Sequence, residues 1–280
     1  MAKDRPKTGT PKTGTDAGGP TFAQDPVKTA ARTLDVFEVF AARKRPLTLT
    51  ELAGHLGSPL SSCHALVRTL QRRGYVYVLD ERKRVYPTKR LLATAQQIAQ
   101  NDPVLERVGP ILAALQEETE ETVILGKRQG NAVTYLDVIE SRKTIRYAAD
   151  PGDLKPLHSS AIGKAMLGRL SDTELAKLLR KLPLPAVTGD TISDPDALMR
   201  EIARGRERGF YVTRGENVPE VMAISISRSI GEEPFGLAVA GPIGRLEAQL
   251  DGVVAALRHA GAALDRVDAT LRGSAELAHA

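Results

Sequence analysis

The stretch from Thr48 to Tyr86 constrains this chain most, because it places two short helices at a tight turn and follows them with a basic hairpin. Thr48 and Glu51 have the spacing of a capping box, in which each side chain satisfies a free amide of the other at a helix start. Leu52, Ala53 and Leu56 give that helix its apolar face, and Gly57 ends it. Ser58 then Pro59 reads as an N-cap followed by proline at the first helical position, so a second helix starts almost at once. Along it Cys63, Leu66, Val67 and Leu70 fall at i, i+3, i+4 and i+7 and must face inward. Ser61, Ala65, Arg68 and Arg72 fall on the opposite side, flanked by Ser62, His64 and Thr69. Gly74 ends the helix, Tyr75 to Leu79 is β-prone, Asp80 to Arg84 forms a charged tip with Arg82 and Lys83, and Val85-Tyr86 returns before Pro87. The pattern predicts a winged helix-turn-helix whose second helix, small and polar at its start and basic beyond, enters a DNA major groove. Ser61, Ser62, His64, Arg68, Thr69 and Arg72 are the candidate DNA-binding residues of the helix, and Arg82, Lys83 and Arg84 those of the wing.

Charge supports this placement. Residues 26 to 90 hold 13 Lys and Arg against 5 Asp and Glu, whereas residues 91 to 280 hold 22 against 26. A basic module suited to phosphate contact is therefore joined to an acidic one with a different task. At 280 residues and 42% hydrophobic content, two units can each bury a core. The apolar runs are far short of a membrane span and the N-terminus lacks the apolar core of a signal peptide, so a cytoplasmic protein with no membrane partner is expected. The single cysteine, Cys63, sits on an inward face and is read as a small hydrophobe.

Residues 1–25, with PKTGT twice in tandem, read as a disordered tail. Val27 to Ala42 forms the first helix of a DNA-binding domain over 26–88, with Ala30, Leu34, Phe37, Val39 and Phe40 as its apolar stripe; Lys89 to Gln100 is a linker helix within 89–102. The apolar positions Phe37, Phe40, Leu91, Leu92 and Ile98 exceed what one small winged domain buries, which predicts a dimer interface. Asn101-Asp102-Pro103 breaks the chain, and a helix to about Glu118 opens a domain over 103–273, with a tail at 274–280. Strands are predicted at Thr122 to Lys127, Ala132 to Ile139 and Thr144 to Ala148. Helices follow at Ser160 to Arg169, Asp172 to Lys181 and Pro195 to Arg208, then strands at Phe210 to Thr213, Met222 to Ser227 and Phe235 to Ala240. A helix from Leu246 to about Arg272 closes an α+β fold.

His158-Ser159-Ser160 at a helix start, followed by Ala161 and Gly163, has the donors to hold an anion, since free amides and the helix dipole supply positive potential without a buried lysine. The plainer reading is a serine cap and a glycine that allows close packing. Ser159, Ser160 and Ala161 are candidate effector-binding residues, and Leu136, Met166, Met222, Ile224 and Leu237 are apolar candidates to receive the body of an organic acid. No nucleophile elbow, phosphate loop, zincin motif or cysteine pair is present, so neither enzyme chemistry nor a cofactor or metal is expected.

From Pro26 to about Leu271 the chain resembles the IclR family of transcriptional regulators. The resemblance rests on Leu49-Thr50-Glu51-Leu52-Ala53, on Leu70 to Val76, and above all on Leu157 to Ala165, followed in order by Gly209-Phe210, Gly215-Glu216 and Ala240-Gly241-Pro242. It implies a GAF-like effector-binding domain joined by a helix to the winged domain. It also implies homodimers or dimers of dimers, a double-stranded DNA operator and control by a small-molecule effector, more often as repressor. Where relatives carry a cysteine and an Ala-Pro step before the penultimate strand, this chain reads Val221-Met222-Ala223-Ile224-Ser225, and Met222 and Ile224 make the site more apolar if they point inward. An architectural DNA-binding protein whose C-terminal domain only oligomerises is the alternative.

Overall fold

The computed structural model describes residues 27–80, 83–102 and 104–278, with side chains to residue 267. The expected tail at 1–25, Arg82, Pro103 and the last two residues lie outside the described residues. The described chain forms two compact units that divide after Glu106.

The N-terminal unit contains α1 (Lys28–Arg43), α2 (Leu49–His55), α3 (Leu60–Arg72), β1 (Val76–Val78), β2 (Val85–Pro87) and α4 (Arg90–Gln100). The capping box forms: Thr48 Oγ1 accepts from the Glu51 amide at 3.3 Å, and the Thr48 amide donates to Glu51 Oε2 at 2.8 Å. The second helix starts differently from expectation. Pro59 occupies the N-cap position with no side-chain cap, and the Ser58 hydroxyl is buried with no hydrogen-bond partner among the described residues. The proline ring fixes φ of Pro59, here −56° with ψ 141°, and biases Ser58 before it away from helical backbone, so Ser58 sits one residue too early to cap the first amides.

Val36, Phe40, Leu52, Cys63, Val67, Leu70, Val76 and Val85 build the core, with Leu47 bridged to Val85 as a short third edge of the wing. Leu34, assigned to the inward stripe, is 65% exposed, and Val36 takes its place. Phe37 and Phe40, expected at a dimer interface, pack edge-on against Tyr75 and Tyr86 within this unit. Leu91, Leu92 and Ile98 are exposed as expected, and α4 has no buried residue.

The Thr48 amide, the Arg45 guanidinium and the Thr48 hydroxyl hold the Glu51 carboxyl at about 2. A carboxyl lowered on folding contributes stability that is full above its unfolded value of about 4.3 and is lost as pH falls toward the folded value. Thr48→Ala is expected to cost about 0.5–2 kcal/mol at neutral pH. Urea denaturation from pH 7 to pH 2 should show the gap between variant and wild type narrowing below about pH 4, as the bond from the Thr48 hydroxyl to the Glu51 carboxylate is lost, while the part owed to the Glu51 amide persists.

The C-terminal unit contains α5 (Leu105–Thr119), β3 (Thr122–Gln129), β4 (Ala132–Ile139), β5 (Leu154–Pro156), α6 (Ala161–Leu167), α7 (Asp172–Leu179), α8 (Pro195–Arg208), β6 (Tyr211–Arg214), β7 (Val221–Ile230), β8 (Glu233–Pro242), α9 (Ile243–Ala248) and α10 (Leu250–Ala278). The six strands form an antiparallel sheet in the order β5-β4-β3-β8-β7-β6. One face carries α6 and the core built with α7 and α8; α10 covers the other, where Gly261 meets Ile226 of β7. The closing helix is divided at Gln249 and its second part runs past Arg272 to Ala278.

Residues 144–148, predicted as a strand, form none. Their carbonyls are taken by side chains instead: Thr122 Oγ1 donates to the Tyr147 carbonyl at 2.5 Å and Arg245 to that of Ile145 at 2.9 Å. β5 fills the edge beside β4 in their place, with Ala132 opposite Pro156. Behind this crossing Glu121 has no exposed surface, and its carboxylate receives Arg245 through both oxygens and Lys143 at 3.4 Å.

Candidate functional site

The two units carry separate sites. On the first, α3 buries Cys63, Val67 and Leu70 and leaves Ser61, Ser62, His64, Arg68, Thr69 and Arg72 exposed together. The Thr69 hydroxyl donates back to the Ala65 carbonyl at 2.9 Å, which leaves it only acceptor capacity. Lys83 stands exposed at the wing tip in a left-handed turn, φ 53°. Arg84, assigned to DNA with Lys83, is bound to Asp80 within the tip, its Nε 2.7 Å from Oδ2, and this partner raises its basicity further.

A groove of about 750 Å³ runs between the helix starts, lined by Thr48, Leu49, Thr50, Leu60, Ser61, His64 and Lys83. The first residues of both α2 and α3 line it, a geometry that suits an anionic phosphate because unpaired amides collect at helix N-termini. Sequence reasoning missed that Thr48 and Thr50 line this groove, for which the only signal was their place at a cap.

The second site is a small cavity of about 30 Å³ in the C-terminal unit. It is lined by Tyr135 of β4, Tyr147, Ser160 and Ala161 at the start of α6, Thr213, Asn217, Val218, Val221 and Ala223 of β7, and Ala240 of β8. Ser160 and Ala161 are where the sequence placed them. Met222, Ile224 and Leu237 are not: strand register puts Met222 and Ile224 on the face of Ile226, against α10, together with Leu237 opposite Ile226. Successive side chains of a strand alternate faces, so their neighbours Val221 and Ala223 look into the cavity. Leu136 and Met166 do not line it either.

The polar groups here are well defined. Ser160 Oγ accepts from the Gly163 amide at 3.2 Å and donates to the Pro156 carbonyl at 2.7 Å, so its hydroxyl proton is committed to the cap. Ser159 is fully buried and accepts from Asn217 Nδ2 at 3.0 Å rather than lining the cavity. Burial, and then Tyr147, push the Tyr135 phenol well above its ordinary range, so it remains a protonated donor. His158 bonds the Pro185 carbonyl through Nε2 at 2.9 Å, and burial lowers its basicity, which keeps the ring neutral near pH 7. No Lys, Arg, Asp or Glu lines the cavity.

A buried lysine does lie behind it, against the expectation that a helix terminus stands alone as the source of positive potential. Lys164 has no exposed surface, and its ammonium is 2.6 Å from Glu216 Oε1 and 3.3 Å from the Val212 carbonyl. Burial draws both partners toward neutrality, lowering Lys164 and raising Glu216, and each opposes the shift of the other. The signal for this pair was a lone lysine inside the small and apolar run AIGKAML.

Comparison with known proteins places these features in context. The family model for the C-terminal domain of bacterial transcriptional regulator IclR matches residues 96–266, and that for the IclR helix-turn-helix domain matches residues 29–80. The chain is 32% identical over 250 residues to the HTH-type transcriptional regulator BhcR of Paracoccus denitrificans, covering 87% of each chain. It is 30% identical over 225 residues to the transcriptional repressor IclR of Escherichia coli, covering 79% of this chain and 82% of that one. Among solved structures, an IclR homologue from Microbacterium hydrocarbonoxydans in complex with 4-hydroxybenzoate superposes with a TM-score of 0.70 at 22% identity, over 86% of this chain and 99% of that one, a likeness of fold.

Proposed function

This chain belongs to the IclR family of bacterial transcriptional regulators, and from that premise we propose that it is a repressor that reads its operator with the exposed face of α3 and is released by a small organic acid bound in its C-terminal unit. The observation that carries the DNA-reading part is the union of that polar and basic face with the groove between the two helix starts and the Lys83 tip. Ser61, Ser62, His64 and Arg68 then approach base edges, while Lys83 and Thr50 hold phosphate, Thr48 being committed to Glu51, and Arg84 shapes the tip through Asp80. Arg68→Ala is expected to weaken binding to the operator by about 1–3 kcal/mol and to relax selectivity at one base pair. Lys83→Ala should weaken specific and non-specific binding alike and flatten the salt dependence. Gel-shift competition separates the two patterns, and full selectivity in the Arg68 variant would move the reading face elsewhere.

The effector reading rests on the cavity at the start of α6. With no charged lining residue, a carboxylate there is received by the phenols of Tyr135 and Tyr147, the Thr213 hydroxyl and the free amides that open α6. The homologue solved with 4-hydroxybenzoate supports an acid as the ligand class. Homodimers or dimers of dimers complete the proposal, because Leu91, Leu92, Ile98 and Leu34 leave apolar surface uncovered on the N-terminal unit. A monomer at micromolar concentration in sedimentation velocity would remove the paired half-sites that a dimer implies.

A further inference from the structure

The cavity of about 30 Å³ has room for about one water molecule, so an organic ligand is enclosed in it only if a wall moves. Two walls are fixed. A Cβ at Gly163 of α6 would lie 2.2 Å from the Leu157 carbonyl oxygen, and Ile162 fills the space above Gly126 and Gly236. Val221, Ala223 and Ala240 sit in the ladder of paired strands.

The third wall, the connection from Gly215 to Glu220, is held in another way. Left-handed residues stand at both ends, Gly215 at φ +67° and Glu220 at φ 62°. Its backbone bonds lie at the ends and the turn: Gly215 N to the Val221 carbonyl at 2.8 Å, Val221 N to that of Val218 at 3.2 Å and Ile243 N to that of Glu220 at 2.9 Å. Toward α6 and the 188–191 turn the attachments come from side chains, with Thr188 Oγ1 donating to the Gly215 carbonyl and Thr191 Oγ1 to that of Glu216, each at 2.7 Å. Asn217 donates to Ser159, and Lys164 reaches across from α6 to Glu216. The second carboxylate oxygen of Glu216 is buried as well, and no described residue donates to it.

We propose that Lys164 and Glu216 are positioning residues of the effector cavity: their ion pair latches the 215–220 segment onto α6, sets Asn217 and Val218 against Ser160 and Ala161, and is the contact whose release admits the ligand. Neither residue lines the cavity. The pair acts by joining its two walls, one turn beyond Ala161 on α6 and one residue before Asn217 on the connection. The ligand's role rests on the effector reading above, but the latch itself is a property of the unliganded protein.

The test is hydrogen–deuterium exchange on the full-length protein without ligand, comparing wild type with Glu216→Gln, Lys164→Met and the double variant Lys164→Met/Glu216→Met. Removing one partner strands the other in the interior, whereas replacing both with apolar groups does not. The single variants should therefore melt lower and the double variant should recover much of the loss. If the pair is a latch, the amides of Gly215 and Val221, which are hydrogen-bonded across the 215–220 segment, exchange at least about tenfold faster in all three, the double variant included, with α10 and β3 unchanged in the double variant. A double variant with restored melting and wild-type exchange at those two amides would make the pair purely structural and overturn the proposal. So would exchange in Glu216→Gln that rises equally across the whole unit. Because no ligand enters the measurement, failure of the latch is distinct from failure of the effector site, which the cavity-filling variant below tests alone.

Discussion

Gly163→Ala is expected to destabilise the C-terminal unit by about 3 kcal/mol, the upper end of what one surplus methyl group costs in a packed interior. The methyl group would lie 2.2 Å from the Leu157 carbonyl oxygen and 2.6 Å from its carbonyl carbon and Cα. These are backbone atoms, so no rotamer change relieves the overlap. α6 must lift away from the 157–160 turn, and with it go the Ser160 cap and the contact of Ile162 with Gly126 and Gly236. Gly252→Ala is the matched control, because nothing lies within 4 Å of a Cβ there and the residue is helical. It should be neutral or stabilising by up to about 1 kcal/mol. Calorimetry reads both, and operator affinity measured well below the transition should be unchanged, since α3 belongs to the other unit. A wild-type melting curve for Gly163→Ala would mean that α6 is not seated on that turn.

The second large effect is on regulation. Ala223 of β7 lines the cavity, is partly exposed and makes no side-chain hydrogen bond, so a larger apolar residue there occupies ligand space without stranding a polar group. Ala223→Leu adds three carbons to a cavity of about 30 Å³. One surplus methylene is worth about 1–3 kcal/mol in a hydrophobic pocket, so the effector should bind at least about 100-fold more weakly while operator binding persists. In the cell this gives a repressor that no longer responds, and in titration calorimetry a lost heat signal. Met222→Leu, one residue away and against α10, should leave the effector response intact. Reversal of that pattern, with the response sensitive at Met222 and indifferent at Ala223, would place the ligand on the other face of the sheet. Linkage sets the scale: a coupling of about 1–3 kcal/mol between effector and operator suffices, and DNA must change effector affinity by the same factor.

What the sequence determined by itself was whatever depends on near neighbours along the chain. The Thr48–Glu51 box, the inward set Cys63, Val67 and Leu70, the bounds of β4 at Ala132 and Ile139, and α8 from Pro195 to Arg208 all follow from contacts within a turn or an alternation within a strand. The family resemblance added the effector-binding role expected of the second unit, and Ser160 and Ala161 carried the position of the cavity.

The tertiary structure decided everything that needs a partner far along the chain. β7 is apolar on both faces because the sheet is covered on both. Its alternation therefore could not say whether Met222 and Ile224, or Val221 and Ala223, face the cavity, and a choice of the wrong parity moves every side chain at once. Residues 144–148 alternate like a strand, yet Thr122 and Arg245 satisfy their carbonyls, and β5 takes the sheet edge. Lys164 meets Glu216 across 52 residues and Glu121 meets Arg245 across 124, distances at which no local pattern survives. A charge enters a protein interior only where the fold brings its counter-charge, so such pairs are invisible until the chain is closed.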